Sequence, residues 1–518
     1  MNYNMFSRLS LRNPLFGYVF WGIVIAETAS LLAQQYPLIN DIAFFLIIVG
    51  VFVISCRKPE IGFWVLASEL VVGSFGYIFY LDVEDFRISV RLAIFLSLMA
   101  GWLVSRYRIR SFAFWNSPLR NPLVLLLVVV IGGIVQGLFR GYSPMDVFFD
   151  ANSYLFFGIA LVAYSVITHW ERVTRLMTVI CAGITYTMLK TWILAIYFSH
   201  QRDPHFFRFV YHWIHDTKVG EISPIVSNYY RIFFQDHIWV LFAVVSVVFM
   251  LIVNHRRSFP VKDYVIWWIF LIAGSTTLII SFSRSIWLAA AITIGIMGLF
   301  LLIKHIITVR RLFLLMGVGI GIILCSLGII SGLVNLPLPG TYRETISTGE
   351  LVSQRLTTVD EPALGSRFQL LRPLVNQALD YPIFGSGYGT SVTYTSLDPR
   401  TKDVHGGQYT TYSFEWGYLD IVTEIGTIGL AIFLYFIWRV LKSGTDILHR
   451  ISNREVYWFI ISLSFAVISL LVVHSTTPYL NHPLGIFLVV ITAATYQAIS
   501  KSDSHILSPT VLEKRSDI

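Results

Sequence analysis

The fold is decided by residues 265–303, which read VIWWIFLIAGSTTLII, then SFSR, then SIWLAAAITIGIMGLFLLI. Two apolar runs, each close to the roughly 20 residues that a helix needs to cross a bilayer, are joined by a short polar link. Such a link predicts a tight turn at one surface of a membrane. The same alternation of apolar runs and polar links continues along the whole chain. We therefore predict an all-α, polytopic helical membrane protein.

The composition excludes a soluble protein of several domains. Apolar residues make up 55% of the chain and charged residues only 13%, whereas soluble domains carry about 25% charged residues. The bilayer then supplies the apolar surroundings that a soluble protein finds in its core. We expect a single integral membrane domain over residues 1–518.

Fourteen apolar runs are candidate spanning helices. They are centred near positions 24, 47, 70, 95, 130, 160, 187, 243, 273, 294, 323, 429, 465 and 491. We therefore expect about fourteen transmembrane helices.

The polar links orient these helices. With the N-terminus inside, the links on that side and both termini hold more than half of the 38 Lys and Arg residues. Cytoplasmic links of membrane proteins are enriched in these residues, which also accounts for the net charge of +8 without a nucleic-acid partner. We predict that both termini are cytoplasmic.

Two long segments lie on the opposite, outer side, at residues 199–231 and 335–416. Loops of this length are usually functional or disordered. In the second loop, residues 366–380 show helical spacing and predict a short amphipathic helix along the outer surface. Its expected apolar face consists of Phe368, Leu371, Val375, Ala378 and Leu379. The helix should end at Tyr381, before the GSGYG turn of residues 385–389.

Two arginines lie at outer helix ends in this topology. Arg231 is expected to begin a helix over residues 232–253, and Arg284 lies in the SFSR link. A guanidinium group stays charged and donates paired hydrogen bonds, which suits it to grip phosphate. The alternative is that each arginine simply extends to the lipid head groups.

Histidines are numerous on the predicted outer side, at His200, His205, His212, His215, His237, His405, His474 and His482. His212 and His215 could share one helix face. Zinc, however, needs three or four suitably spaced ligands, and no cysteine or paired carboxylate completes a set. We therefore expect no metal site and no cofactor. A single histidine remains a candidate base, because the ordinary histidine pKa lies near neutral pH.

Three ionisable residues lie inside predicted spans: Glu27, Lys190 and Arg91. Such groups are costly in a membrane and commonly mark a cavity or a transport path. They could equally pair with one another, and the sequence leaves both possibilities open.

Three motifs resemble the O-antigen ligase and polymerase family of bacterial membrane glycosyltransferases. SRSIWLA at residues 283–289 is similar to a helix start of that family. GSRF at 365–368, followed by DYPIFGSG at 380–387, resembles its arginine-bearing loop helix and Pro-x-x-Gly-x-Gly turn. YLDIVTEIGTIGL at 418–430 resembles the helix that follows the large loop. The resemblance covers about residues 265–440 in order and spacing.

The resemblance implies a metal-independent glycosyltransferase of the bacterial cytoplasmic membrane. Its donor would be a polyprenyl-diphosphate-linked glycan at the outer face, its acceptor a glycan or lipid, and other envelope-assembly proteins are possible partners. Arg284, Arg231 and Arg367 would bind the diphosphate. The family commonly has a His before the Tyr-Leu pair, where this chain has Glu415. The catalytic base would then be Glu415 or His405.

Several alternatives stay open from the sequence. Glu415 could instead cap the helix that starts near Trp416, where the helix dipole favours a negative charge. The protein could be a transporter of small anions or lipid-linked solutes, which Glu27 and Lys190 would suit, or a non-catalytic scaffold for envelope assembly. Between the two catalytic functions, we favour a polymerase over a ligase.

Overall fold

The computed structural model describes residues 13–83, 86–109, 113–200, 203–226, 229–254, 261–337, 362–396 and 407–502. Most of the described chain is α-helical, which confirms the predicted fold class. The helices are α1 Pro14–Ala33, α2 Pro37–Arg57, α3 Pro59–Val72, α4 Val90–Ile109, α5 Arg120–Phe139, α6 Pro144–Ala151, α7 Ile159–Val166, α8 Trp170–His200, α9 Pro204–Asp216, α10 His237–Asn254, α11 Val261–Ile280, α12 Arg284–Ile303, α13 Val309–Val334, α14 Pro362–Asp380, α15 Gly417–Leu448, α16 Arg454–His474 and α17 Pro483–Ser500.

Twelve helical segments in the described part of the chain are long and apolar enough to cross a bilayer. One of them combines α6, α7 and the 3-10 turn Asn152–Gly158 between them. Helices suit a membrane because they satisfy all their backbone hydrogen bonds internally. Their starts are locally specified: proline occupies the first turn of α1, α2, α3 and α17, where its missing N–H costs nothing.

The sequence prediction of about fourteen spans exceeds this count by two. Each of the fourteen predicted positions lies in a helix, but two of these helices are shorter. α3 has 14 residues and ends at Gly73, and α11 has its apolar part at Tyr264–Ile280. The side chains of Phe63, Leu66 and Leu70 in α3 are fully buried. α3 is therefore enclosed by protein rather than by lipid.

The helices form layers around α17, whose residues are almost all buried. α15, α16, α7 and α8 pack against it. α2 and α13 lie at the periphery and expose Leu46, Phe313 and Leu314 among many other apolar side chains. Exposed apolar surface on this scale is compatible with a lipid solvent and not with water.

Three antiparallel hairpins project from one end of the bundle, which we call the site face. They are β1 Tyr80–Val83 with β2 Phe86–Ser89, β3 Glu221–Val226 with β4 Tyr229–Phe233, and β5 Val392–Thr395 with β6 Gln408–Thr411. Arg87 Nη1 donates to the Asp216 carbonyl oxygen at 3.1 Å, and the Gln235 N–H donates to Ser74 Oγ at 3.1 Å. These contacts hold the hairpins and α9 on one face.

The three charged residues predicted to lie within spans, Glu27, Lys190 and Arg91, are each paired. Lys190 Nζ in α8 lies 2.7 Å from Glu27 Oε1 in α1, and the Tyr186 hydroxyl donates to Glu27 Oε2 at 2.8 Å. Arg91 Nε in α4 lies 2.8 Å from Glu69 Oε2 in α3. Of the two possibilities left open by the sequence, pairing is the one observed.

Candidate functional site

Arg231 is positioned by a strand, so the expectation that it begins a helix over residues 232–253 is wrong. Arg231 lies in β4 opposite Ser223 of β3, and α10 begins only at His237. The apolar run at Ile232 was compatible with either structure, and pairing with β3 decided between them. Arg231 Nε donates to the Ser281 carbonyl oxygen at 3.3 Å, and Nη1 lies 3.3 Å from Glu221 Oε2.

Arg284 is the first residue of α12, directly after the predicted tight turn. Phe282 adopts a positive φ of 46°, which a bulky residue rarely takes outside a constrained turn. Trp287 Nε1 donates to the Leu278 carbonyl oxygen at 2.7 Å and so ties the two helices together across the turn. Helix N-termini favour anions, and here a guanidinium group adds to that preference.

Arg367 lies on α14, which confirms the predicted loop helix but with a different buried face. Leu370, Leu374 and Ala378 are buried, whereas Phe368 and Leu379 are exposed. The buried side chains are spaced by four residues and pack against β5 and α15. The spacing of apolar residues alone did not identify which of them would be covered.

Arg231 connects the turn before Arg284 to Arg367 at one corner of the site face. Arg231 contacts the carbonyl of Ser281, three residues before Arg284. Burial lowers the pKa of the Arg231 guanidinium; Glu221 raises it, and the positive charge of Arg367 lowers it. Arg231 therefore lies between the α12 turn and α14. The guanidinium groups of Arg231 and Arg367 each pair with a carboxylate, Glu221 and Glu415 respectively, and both groups are suited to bind a phosphate in its place.

Glu415 faces Arg367 rather than the helix that follows it. Its two carboxylate oxygens accept from Arg367 Nε and Nη2, the latter at 3.2 Å. The N-cap of α15 is Trp416, whose side chain makes no capping bond. The hypothesis that Glu415 caps α15 is thus wrong, because the guanidinium fork holds the carboxylate away from the helix. His405 lies outside the described residues.

The glycine-rich turn docks into a break in α15. Gly426 has φ 73° and interrupts the helix, which leaves carbonyl groups of the preceding turn free to accept other bonds. The Ser386 N–H donates to the Thr423 carbonyl oxygen at 2.7 Å, and the Gly387 N–H donates to that of Glu424 at 2.9 Å. The sequence predicted a turn here, and in the structure this turn also fills the space between α15 and α5.

The other side of the glycine-rich turn packs on α5. The Tyr388 N–H donates to the Gly133 carbonyl oxygen at 3.2 Å, and Gln136 Nε2 donates to the Gly385 carbonyl oxygen at 2.8 Å. A Cβ on Gly387 would lie 2.5 Å from the Gly137 nitrogen. Glycines are therefore needed on both sides, since the two backbones touch. Two of the motifs noted in the sequence meet here in space.

Residues 268–434 match the O-antigen ligase family. The match includes the Arg284 turn, α14 with Arg367, the docked turn and the broken start of α15. A comparison with curated proteins gives no match. The family resemblance of the motifs is confirmed, and the match supports an O-antigen ligase or polymerase type of function in a multi-pass membrane protein.

An acidic cluster that was not predicted from the sequence lies next to the glycine-rich turn. Asp150 Oδ2 accepts from the Gly389 N–H at 2.8 Å, and its carboxyl group lies against that of Glu424. Asn481 Nδ2 donates to Asp420 Oδ2 at 2.7 Å. Asp420 and Glu424 are spaced by four residues in an apolar helix, and this was the available signal. Asp150 anchors the far end of the docked turn.

The histidines of the site face do not form a metal centre in the described chain. There, no group of three or more His, Cys, Asp or Glu residues is arranged to hold a metal ion. His237 Nε2 lies 2.9 Å from Thr191 Oγ1, and His474 Nδ1 accepts from the Leu480 N–H at 3.1 Å. Both histidines are fully buried. Of the predicted site residues within the described chain, Arg231, Arg367 and Glu415 lie together, and Ser281 links Arg284 to them.

Proposed function

We propose that this protein transfers a glycan from a polyprenyl-diphosphate carrier to an acceptor at the non-cytoplasmic face of the membrane. The observation that carries the proposal is that Arg231 contacts the turn before Arg284 and interacts electrostatically with Arg367. We expect Arg231, Arg284 and Arg367 to bind the diphosphate together. All three lie within the family match or in contact with it. An outer-leaflet carrier would present its diphosphate at this depth, while its polyprenyl chain stays among the lipids.

The chemistry required of the protein is modest. A diphosphate is already a good leaving group, so catalysis chiefly requires stabilisation of the negative charge that develops as the sugar–phosphate bond breaks. Preorganised arginines provide this stabilisation, and they do so best in a partly buried site. The side chain of Arg231 is 24% exposed. No step of this scheme calls for a metal ion.

The base in this proposal is Glu415, with His405 as the alternative. Arg367 holds the Glu415 carboxylate through its guanidinium group. An arriving diphosphate would compete for the same guanidinium group. Arg367 would then turn toward phosphate and leave a Glu415 oxygen free to accept the proton of the acceptor hydroxyl. Donor binding and activation of the base would thereby be coupled.

Glu415→Gln tests this role. The variant should lose roughly 100-fold or more in turnover, as expected when a general base is removed, while donor affinity should be retained or increased, because the carboxylate no longer competes for Arg367. The assay uses purified protein, a lipid-linked oligosaccharide and candidate acceptors, and it follows chain growth against transfer to a lipid core. The same assay distinguishes a polymerase from a ligase.

Asp82→Asn is the matched control, because Asp82 pairs with Arg87 in another exposed hairpin of the same face. It should retain full activity. His405→Ala is measured in parallel. If both Glu415→Gln and His405→Ala keep full turnover, neither residue is the base. A wild-type protein that transfers no glycan to any of the acceptors would contradict the proposal and favour the scaffold alternative.

The transporter alternative loses its main support. Glu27 and Lys190 suggested it, and these residues satisfy each other within the bundle. No other feature of the described chain favours transport over transfer.

A further inference from the structure

A polar cavity of about 230 Å³ lies at the end of the bundle opposite the arginines. It is lined by residues 116–119, which precede α5, by Tyr164 of α7 and by the last turns of α15 and α17. α15 runs from Gly417 on the site face to Arg439 at this cavity, about 33 Å along a helix. The cavity is therefore separate from the candidate site.

The cavity is positively charged. Arg439, Lys442 and Lys501 line it, together with one carboxylate, Asp446. Lys442 Nζ lies 3.4 Å from Asp446 Oδ1. Two cationic groups thus remain in excess over the carboxylate. A cavity with this balance attracts an anion.

Two buried polar atoms at the cavity have no hydrogen-bond partner among the described residues. They are the donor Arg439 Nε and the acceptor Gln497 Oε1. An unsatisfied buried polar atom is costly, so such atoms commonly mark the place of a ligand or of water. One ligand satisfies both atoms if it accepts a hydrogen bond from Arg439 and donates one to Gln497. A phosphate that carries or adjoins a hydroxyl group is such a ligand.

The surroundings favour a lipid as the source of this phosphate. Leu434, Tyr435 and Trp438 are exposed on α15, one to two turns before Lys442, and they form a surface for acyl chains. The Trp438 ring lies 5.8 Å from Lys442 Nζ, an arrangement typical of the membrane interface. Basic pockets between spanning helices are suited to anionic head groups.

We propose that this cavity binds the phosphate of an anionic phospholipid whose head group carries a hydroxyl, such as phosphatidylglycerol. Arg439 contacts the phosphate, Gln497 accepts from the hydroxyl, and Lys442 and Lys501 supply the surrounding charge. The lipid bridges residues 116–119 and the last turns of α15 and α17. The inference is independent of the proposed glycan transfer.

Lipid-dependent stability tests the proposal. The full-length protein is purified in phosphatidylcholine nanodiscs, and its Tm is measured with increasing phosphatidylglycerol or, separately, with inorganic phosphate. Phosphatidylglycerol should raise the Tm saturably, and Arg439→Gln should weaken the apparent Kd roughly tenfold or more, since it removes hydrogen bonds to a charged group. Lys304→Gln, an exposed basic residue outside the cavity, is the matched control and should bind as the wild type does.

The titrations with phosphatidylglycerol and with inorganic phosphate distinguish the possible sources of the bound phosphate. If inorganic phosphate alone gives the same saturable, Arg439-dependent shift, the site binds free phosphate and the lipid proposal is overturned. If Arg439→Gln does not fold, Lys442→Gln serves in its place with the same expected direction. An equal response of wild type, cavity variants and Lys304→Gln would mean that the basic residues only complement the helix C-termini, and it would refute the site.

Discussion

The close contact between the docked glycine turn and α5 predicts that a larger residue at Gly137 of α5 displaces the turn. A methyl group at this position would overlap the backbone carbonyl oxygen of Tyr388. Ordinary contacts between non-bonded atoms lie near 3.5 Å, and a backbone oxygen cannot rotate away as a side chain can. Gly137→Ala must therefore push the turn off α5, although alanine is the better helix former.

The cost follows from the contacts that the turn makes. Overpacking of a close interface costs about 1–3 kcal/mol. Undocking also breaks the bonds from Tyr388 to Gly133 and from Gln136 to Gly385, each contributing about 1 kcal/mol. We expect Gly137→Ala to destabilise the docked turn by roughly 3–5 kcal/mol in total. The turn follows α14 directly, so Arg367 would also be displaced.

Gly132→Ala is the control on the same helix. Nothing lies within 4 Å of a Cβ at this position, and the replacement should be neutral or stabilise α5 by up to about 1 kcal/mol. Thermal unfolding in nanodiscs and glycan transfer are measured for both variants. Gly137→Ala should lower the Tm and reduce transfer on the order of 100-fold, as a misplaced catalytic group does. Equal Tm and equal transfer in the two variants would refute the docking.

Three further predictions concern the site, the bundle and the topology. Arg231→Lys keeps the charge but loses the planar fork, and its transfer rate should fall on the order of tenfold with the Tm unchanged; a rate equal to that of wild type would show that charge alone suffices. Lys190→Met leaves Glu27 buried without its partner and should destabilise the protein by about 3–5 kcal/mol in denaturation assays. The double variant Glu27→Gln/Lys190→Met should recover most of that loss, and an equally unstable double variant would contradict the pairing. A reporter fused after Ile518 should be cytoplasmic, and its appearance outside the cell would reverse the predicted orientation.

Much of the fold could be predicted because a bilayer leaves few choices. Apolar runs must be helical in lipid, since no other local structure satisfies the backbone. The turn before Arg284 and the helix that bears Arg367 were likewise determined locally, by a link too short for anything else and by a 3.6-residue period. The shorter α3 shows the limit of this reasoning, because an apolar run surrounded by protein has no bilayer thickness to match.

The sequence also contained the residues of the candidate site, but not their arrangement. By itself it determined that the chain is a helical membrane protein, that its family motifs surround one large loop, and that Arg284 lies at a helix start after a tight turn. Only the tertiary structure placed Arg231 on a strand, brought Glu415 to Arg367, and inserted the glycine turn into the break at Gly426. The last two features rest on contacts between segments about 40 to 50 residues apart in the chain, and the strand at Arg231 rests on pairing with its neighbour in a hairpin; local propensity cannot choose either kind of partner.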